Sequence, residues 1–175
     1  QKDIYDLGME SIICNKLDNQ VFLRNMDIKN LKEGNTLEFY DVVTCNPPYF
    51  KYQGGSLINE MEKKSIARHE ILIKLEDILD ISSYLLKNGG TFAMVHRPDR
   101  LVEIIELMKK YNLEPKKIRF VYPKNGKDAN LLLIEGVKNG KLGLKLLPPL
   151  IVHNGDGSYT EEVRKMFGCD NDVAK

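Results

Sequence analysis

The stretch that decides the fold is residues 39–50, FYDVVTCNPPYF. Its first seven residues are mostly β-branched or apolar, a pattern typical of a strand buried on both faces of a parallel sheet. The strand must end at Asn46-Pro47-Pro48, because proline has no amide hydrogen to donate to a sheet ladder. A rigid turn with one amide side chain and one aromatic residue, Tyr49, therefore follows directly on a buried strand.

Outward from this strand, helix and strand patterns alternate, and this alternation predicts an α/β fold. Two strands close together near the carboxyl end predict an antiparallel hairpin at one edge of a mostly parallel sheet. Asn88-Gly89-Gly90 predicts the end of the second helix. The predicted helices are 3–17, 70–86 and 99–111, and the predicted strands are 20–24, 39–45, 91–96, 117–122 and 130–137.

The length of 175 residues, with 42% apolar residues and a formal net charge of +1, fits one soluble domain. Within it, residues 138–175 are predicted to add a hairpin and a short tail helix. The three cysteines form no CxxC pair and no cluster with histidine, so we expect no metal site and no disulfide framework. Each is expected to be a small buried side chain, and the protein is expected to be cytoplasmic.

The turn at Asn46 has a specific chemical use, although Asn-Pro and Pro-Pro are also ordinary turn formers. Ligands of open α/β sheets bind beyond the carboxyl ends of the strands, where this turn lies. An amine conjugated to a ring or a carbonyl is a poor nucleophile, and a site assists it by accepting hydrogen bonds from both N–H groups. The Asn46 side chain and the Pro47 carbonyl can be the two acceptors, and Tyr49 can stack on a planar substrate. Catalysis would then be mostly positioning.

The motif from Asp41 to Tyr49 resembles that of class I S-adenosylmethionine-dependent methyltransferases that modify planar nitrogens. Further segments resemble the bacterial tRNA adenine-N6 methyltransferase family that acts on an anticodon-loop purine of a valine tRNA. The matching segments are VTCNPPYF (43–50), ARHE (67–70), VHRPDRL (95–101), LEPKK (113–117), ANLLLIEG (129–136) and PPLIV (148–152).

The resemblance implies a Rossmann-like sheet with the strand order 3-2-1-4-5-7-6 and S-adenosylmethionine as methyl donor. It implies that Asn46, Pro47, Pro48 and Tyr49 hold the target adenine, with Asn46 also near the donor. Asp27, with Met26 and Ile28 beside it, matches the acidic position that binds the cofactor's adenine, although a capping or loop role is also open.

The sequence also departs from the family, because it has no glycine-rich cofactor loop and no acidic residue after a second strand. The resemblance therefore implies a sheet that lacks its first two strands in this chain. We expect a preceding segment or a neighbouring chain to complete the sheet, since a sheet without its centre exposes two unpaired edges.

Basic residues are unevenly distributed: residues 96–145 contain 12 basic and 6 acidic residues. As a set they fit phosphate contacts on RNA, although individual lysines are as consistent with ordinary solvated surface. His96 and Arg97 follow a predicted strand on the same rim as Asn46, and either could clamp phosphate or shape the pocket. The predicted RNA-binding residues are Arg68, His69, His96, Arg97, Lys116, Lys117 and Lys124, with a packing or helix-capping role also open for His69.

The function predicted from the sequence is methyl transfer to the exocyclic N6 of an adenine in tRNA. A target adenine would have to be unstacked, which favours a single-stranded loop. Two alternatives stay open. One is methylation of a glutamine side chain in a protein, which also suits the two acceptors. The other is an RNA-binding module or fragment without catalysis.

Overall fold

The computed structural model describes residues 2–32, 40–47 and 73–168. Packing divides the chain into two compact units, Gln1–Thr36 and Leu37–Lys175, and each is described by itself. The prediction of one domain over 1–175 stays a prediction. No helix within the described residues is long and apolar enough to cross a membrane.

The first unit consists of helix α1, Lys2–Cys14, and a 3-10 helix, Ile28–Lys32. The prediction of a strand at residues 20–24 is wrong: the structure has no strand there. The amides of Gln20 and Val21 both donate to the Leu17 carbonyl, at 2.9 and 2.8 Å. These bonds turn the backbone where the predicted strand would begin and remove donors that a sheet ladder needs. Phe22 in this segment is 78% exposed, so the apolar pattern marks no buried strand.

The second unit is built on a six-stranded sheet with the order β1-β2-β4-β3-β5, and β6 also pairs with β3. Strand β1 is parallel to β2, β4 is antiparallel to both β2 and β3, and β5 and β6 are parallel to β3. The strands are β1 Tyr40–Cys45, β2 Leu86–His96, β3 Leu113–Lys124, β4 Leu131–Lys138, β5 Lys145–Leu146 and β6 Leu150–His153.

This arrangement confirms the α/β prediction and the antiparallel hairpin of β3 and β4. Strand β4 lies inside the sheet, between β2 and β3, so the order β1-β2-β4-β3 is the 4-5-7-6 order that the resemblance implies. Of the five strand pairings in the described residues, three are parallel. The hairpin does not end the sheet, because β5 and β6 continue it beyond β3.

One face of the sheet packs against helices α2, Leu75–Leu85, and α3, Leu101–Lys110. A 3-10 turn, Pro98–Arg100, leads into α3. The core between the layers contains Leu79, Phe92, Ile104, Met108 and Ile134, which are all almost fully buried. We call this side of the sheet the helix face and the other side the open face. Alternate residues of each strand point to the two faces.

The glycine pair at residues 89–90 does not cap a helix, contrary to the prediction. Helix α2 ends at Leu85 because Leu86 already adopts an extended backbone, with φ −77° and ψ 142°. The pair lies within β2, where the register against β1 shifts between Tyr40 and Val42. Gly89 has φ +79°, and a Cβ at Gly90 would lie 3.1 Å from the Tyr40 carbonyl oxygen. Both positions need glycine because the sheet is irregular here, and not because a helix ends.

The carboxyl-terminal segment contains helix α4, Glu161–Met166, inside the range predicted for the tail helix. The hairpin predicted before it is reduced to a single antiparallel bridge between His153 and Tyr159. Strand β6 instead pairs with β3 in the parallel direction. Val163 of α4 packs with Val121 and Leu150 in a second, smaller core.

Candidate active site

Asn46 and Pro47 follow β1, and their side chains lie on opposite sides of the sheet. The register pairs Cys45 with Met94, and both side chains belong to the helix-face core. Asn46 is exposed and lines a groove of about 490 Å³ on the open face, together with Thr44, Ala93 and Leu133. Pro47 is buried and lines a cavity of about 360 Å³ on the other side. The pleat of β1 therefore continues into the turn and presents the Asn46 amide to the open face.

His96 ends β2 and lines the same cavity as Pro47. The imidazole is only 1% exposed, and its Nδ1 accepts a hydrogen bond from the Arg97 amide at 2.8 Å. Burial lowers the pKa of His96 from its ordinary value, and the nearby Arg100 charge lowers it further. A buried neutral imidazole cannot attract phosphate by charge, so the structure favours a pocket-shaping role for His96 over the phosphate clamp.

Arg97 is exposed at the rim, with its Nε 3.5 Å from a carboxylate oxygen of Asp99. Arg100 was not among the predicted site residues, but it lines the cavity beside His96 and Pro47. Its guanidinium donates to both carboxylate oxygens of Glu103, at 3.0 and 2.7 Å. The arginine-to-glutamate spacing of three residues at a helix start was the signal that could have identified this pair.

The three predicted RNA-binding lysines of β3 do not form one patch. Lys117 lies in the open-face groove, and its ammonium is 2.9 Å from a carboxylate oxygen of Glu135. The Lys116 ammonium contacts the Lys141 carbonyl oxygen. Lys124 is exposed at the carboxyl end of the strand. A lysine that is already paired with a carboxylate contributes less to a phosphate contact, so Lys124 is the strongest of the three candidates.

In the first unit, Asp27 directly precedes the 3-10 helix and is about half exposed. One carboxylate oxygen accepts a hydrogen bond from the Lys29 amide at 3.0 Å, and the other is 3.7 Å from the Lys29 ammonium. Asp27 is thus a loop-capping residue in this structure, as the alternative interpretation had it. Met26 and Ile28 on either side are 43% and 36% exposed.

Cys14 is exposed, contrary to the expectation that each cysteine is buried. Cys45 is partly buried next to Asn46, and burial raises the pKa of its thiol to about 11. It therefore stays protonated at neutral pH and is a poor nucleophile. The other predicted site residues, Pro48, Tyr49, Arg68 and His69, lie outside the described residues, as does Cys169.

Curated proteins similar to this chain carry one name, tRNA1(Val) (adenine(37)-N6)-methyltransferase. The protein of Aliivibrio salmonicida is 25% identical over 87% of this chain and 62% of its own length. That of Parabacteroides distasonis is 32% identical over 55% of this chain and 39% of its own length. The chain thus spans less than two thirds of the length of the curated relatives that it matches. No family model matches it.

Among solved structures, the chain is similar to a predicted O-methyltransferase from Agrobacterium tumefaciens. The TM-score is 0.73 at 19% identity, over 96% of this chain and 74% of the other. At this identity the likeness concerns the fold, and it confirms the Rossmann-like methyltransferase fold that the sequence predicted.

Proposed function

We propose that this chain provides the nitrogen-binding part of an enzyme that methylates the N6 of an adenine in tRNA. The proposal depends chiefly on the exposed amide of Asn46 at the carboxyl end of parallel strand β1. This strand is not buried on both faces as the sequence predicted: Val43 and Cys45 pack against the core, and its other four residues are exposed. Similarity to proteins that are named tRNA1(Val) (adenine(37)-N6)-methyltransferase supports adenine in tRNA as the substrate.

In this mechanism, Asn46 and Pro47 act by accepting hydrogen bonds. The Asn46 side-chain oxygen accepts one N–H of the adenine amino group, and the Pro47 carbonyl accepts the other. The two bonds fix the nitrogen and direct its lone pair, which otherwise is delocalised into the ring. The methyl group comes from S-adenosylmethionine, whose sulfonium makes it electrophilic.

The nitrogen loses its proton to water after the transfer, so the site needs no strong base. Two titratable groups close to the turn, Cys45 and His96, fit a site without a strong base. The Cys45 thiol stays protonated at neutral pH, so it does not compete with the amine for the methyl group. The buried, neutral His96 leaves no cationic imidazole on the helix-face side of the turn. Neither of these two groups therefore adds a charge beside the turn while the amine attacks.

The residues around Asp27 fit the adenine end of S-adenosylmethionine. A carboxylate is an acceptor with room for several hydrogen bonds, so Asp27 can bind an amino group while its bond to the Lys29 amide holds it in place. Met26 and Ile28 supply exposed apolar surface on each side for a purine ring. Replacing Asp27 with Asn should therefore weaken cofactor binding, which equilibrium dialysis with labelled cofactor measures directly.

The test is methyl transfer to a tRNA transcript by the native protein and by Asn46→Ala. We expect a loss of about 100-fold or more in rate, the usual effect of removing one preorganised polar contact at a reacting centre. Thr44→Ala is the matched control, because Thr44 lines the same groove two residues earlier on the same strand. It should keep nearly full activity.

Two outcomes would overturn the proposal. One is undiminished transfer by Asn46→Ala in a protein that still binds tRNA. The other is transfer to a glutamine-containing protein substrate in preference to tRNA. Measuring cofactor binding and RNA binding in parallel distinguishes catalysis from RNA binding alone.

A further inference from the structure

Three aromatic side chains form a cluster near the carboxyl end of the described residues. The rings of His153 and Tyr159 are stacked, with centroids 4.9 Å apart and planes at 22°. The Tyr159 ring meets the Phe167 ring edge-on at 5.7 Å. Tyr159 is 47% exposed and Phe167 is 66% exposed, so two large rings share one solvent-facing surface. We call these three residues the aromatic cluster.

The cluster is held in place by the surrounding backbone. The Asn154 amide donates to the Ser158 carbonyl at 2.8 Å, which closes the turn between His153 and Tyr159. The Thr160 hydroxyl donates to the Ile151 carbonyl at 2.7 Å. Helix α4, which precedes Phe167, is fixed by the burial of Val163. The rings are therefore displayed on an ordered frame, which lowers the entropy cost of stacking a ligand on them.

Cationic side chains lie beside the cluster. Lys124 pairs with His153 in the register of β3 and β6, and Lys127 follows in the next turn. Both are exposed, and within the described residues neither forms an ion pair within 4 Å. Hydrogen bonds from Ser158 lower the pKa of Asp156, and the Lys124 charge adds to this effect. The Lys124 charge therefore lies close enough to the turn that supports Tyr159 to act on Asp156.

The cluster and Asn46 share one rim of the sheet. Strands β1, β2, β3 and β6 all run in the same direction, because β4 is antiparallel to both β2 and β3. Their carboxyl ends lead to Asn46, Arg97, the Lys124 turn and the cluster. Four strand spacings of about 4.8 Å separate β1 from β6, so the cluster is roughly 19 Å from Asn46 along the rim.

We propose that the aromatic cluster is a stacking platform for an unpaired base of the RNA substrate, with Lys124 and Lys127 contacting the phosphates beside that base. The inference rests on the proposed function and names where a flanking part of the RNA binds. Exposed rings stack on bases of any sequence, and nearby lysines follow the backbone; together these are the usual parts of a single-strand site. A few unpaired nucleotides can extend from the cluster to an adenine at Asn46.

The experiment measures binding of a tRNA anticodon stem-loop to the native protein and to Tyr159→Ala, Tyr159→Phe and Phe167→Ala. Tyr159→Ala and Phe167→Ala should each weaken binding by roughly tenfold, the loss expected for one stacked base. Tyr159→Phe keeps the ring and should bind within about twofold of the native protein. A fully paired RNA duplex of equal length should bind all four proteins alike.

A second measurement concerns charge. Lys124→Gln should lower the salt dependence of stem-loop binding by about 0.7 in the slope of log K against log salt, the value for one phosphate on a single strand. Lys165→Gln is the matched control, since Lys165 is engaged by Glu161 at 2.6 Å. It should leave the slope nearly unchanged.

Unchanged binding by both Tyr159→Ala and Phe167→Ala, with native thermal unfolding, would overturn the inference. Equal losses for duplex and stem-loop would also overturn it, because they would indicate a role in folding or a general charge effect. If Tyr159→Ala fails to fold, the more exposed Phe167→Ala decides. The proposed function fails separately, through Asn46→Ala, which lies on another strand.

Discussion

The Nδ1 atom of His96 accepts a hydrogen bond from the backbone amide of Arg97, the next residue, at 2.8 Å. This bond requires an unprotonated Nδ1, so the proton of the neutral imidazole is on Nε2. Because His96 and Pro47 line one cavity, we expect the Nε2–H group to act as a donor toward the turn that carries Asn46. Two roles of His96 can therefore be separated. Its Nδ1 accepts the bond that closes the local turn, and its Nε2–H can donate a hydrogen bond to the site.

Two substitutions of His96 distinguish these roles. In His96→Asn, the side-chain oxygen can still accept from the Arg97 amide, but no donor reaches the Nε2 position. In His96→Gln, a side-chain amide donor reaches about that position, but the local acceptor is lost. We expect His96→Gln to keep most of the methyl-transfer rate and His96→Asn to lose about tenfold, as for one lost hydrogen bond in the site.

The contrary pattern would show that His96 only closes the turn. In that case His96→Asn would retain activity, and His96→Gln would lose both activity and thermal stability. Nitrogen NMR of the native protein supplies an independent readout, because it reports which ring nitrogen carries the proton.

The stability of the protein should depend on pH through His96. Its pKa is lowered by burial and by Arg100, while Asp99 and Glu103 act against this shift. Lys74, Glu76 and Glu106 also line the cavity. Above about pH 6.5 the imidazole is neutral in both folded and unfolded chains, so it makes no contribution that varies with pH. As the pH falls below that value, the unfolded chain binds the proton first, and the free energy of unfolding decreases.

Denaturant titrations at pH 7.5 and 5.5 measure this effect. The loss attributable to His96 is at most about 1.4 kcal/mol per pH unit and ends once the folded protein also binds the proton. His96→Gln should remove that part of the loss. An identical pH dependence in the variant would assign the effect to other groups.

The sheet of the second unit was predictable because its strands are short apolar runs with clear ends. Strand β1 ends where two prolines begin, and β3 and β4 are joined by a polar turn. The strand predicted at residues 20–24 does not form, because composition does not reveal the hydrogen-bond partners of its first amides. Those amides donate to the Leu17 carbonyl. Residues with high strand propensity are those that pack well on a half-buried sheet surface. The exposed Phe22 has no such surface to pack on.

The position of Asn46-Pro47 directly after a strand was predictable, because that motif is continuous in sequence. Contacts whose partner comes from another strand were not predictable. Lys117 meets Glu135 because β3 and β4 pair in that register, and 18 residues separate them. The burial of His96 was likewise set by helices α2 and α3, whose residues line the cavity around it. Charge counts along the chain therefore do not reveal which basic side chains already have a carboxylate partner.

Arg119 should control how firmly the carboxyl-terminal helix is held. Its Nε donates to the Pro148 carbonyl at 2.9 Å, and its guanidinium is 2.7 Å from a carboxylate oxygen of Glu162. Arg119→Met should increase amide hydrogen exchange in α4 and lower the free energy of unfolding by about 1–2 kcal/mol. Lys165→Met is the control, because its pair with Glu161 is exposed and contributes little to stability. Equal exchange in the two variants would contradict this role of Arg119.

Gly136 is a position of the central sheet at which an added methyl group should be costly. A Cβ at this buried position of β4 would lie 2.4 Å from the Met108 methyl carbon and 3.1 Å from the Glu114 carbonyl oxygen. Gly136→Ala should therefore lower the free energy of unfolding by about 1–3 kcal/mol, whereas Gly155→Ala, with nothing within 4 Å of the new Cβ, should change it little. Thermal unfolding of both variants gives the comparison.

The cause of that loss can be tested by pairing Gly136→Ala with Met108→Ala. Met108→Ala alone should cost about 2–5 kcal/mol, because the side chain is fully buried in the core between sheet and helices. In the double variant the new alanine at position 136 occupies space that the methionine has left, so the combined loss should be smaller than the sum of the two. Strict additivity would mean that the Glu114 carbonyl, which cannot move without shifting β3, sets the cost at Gly136.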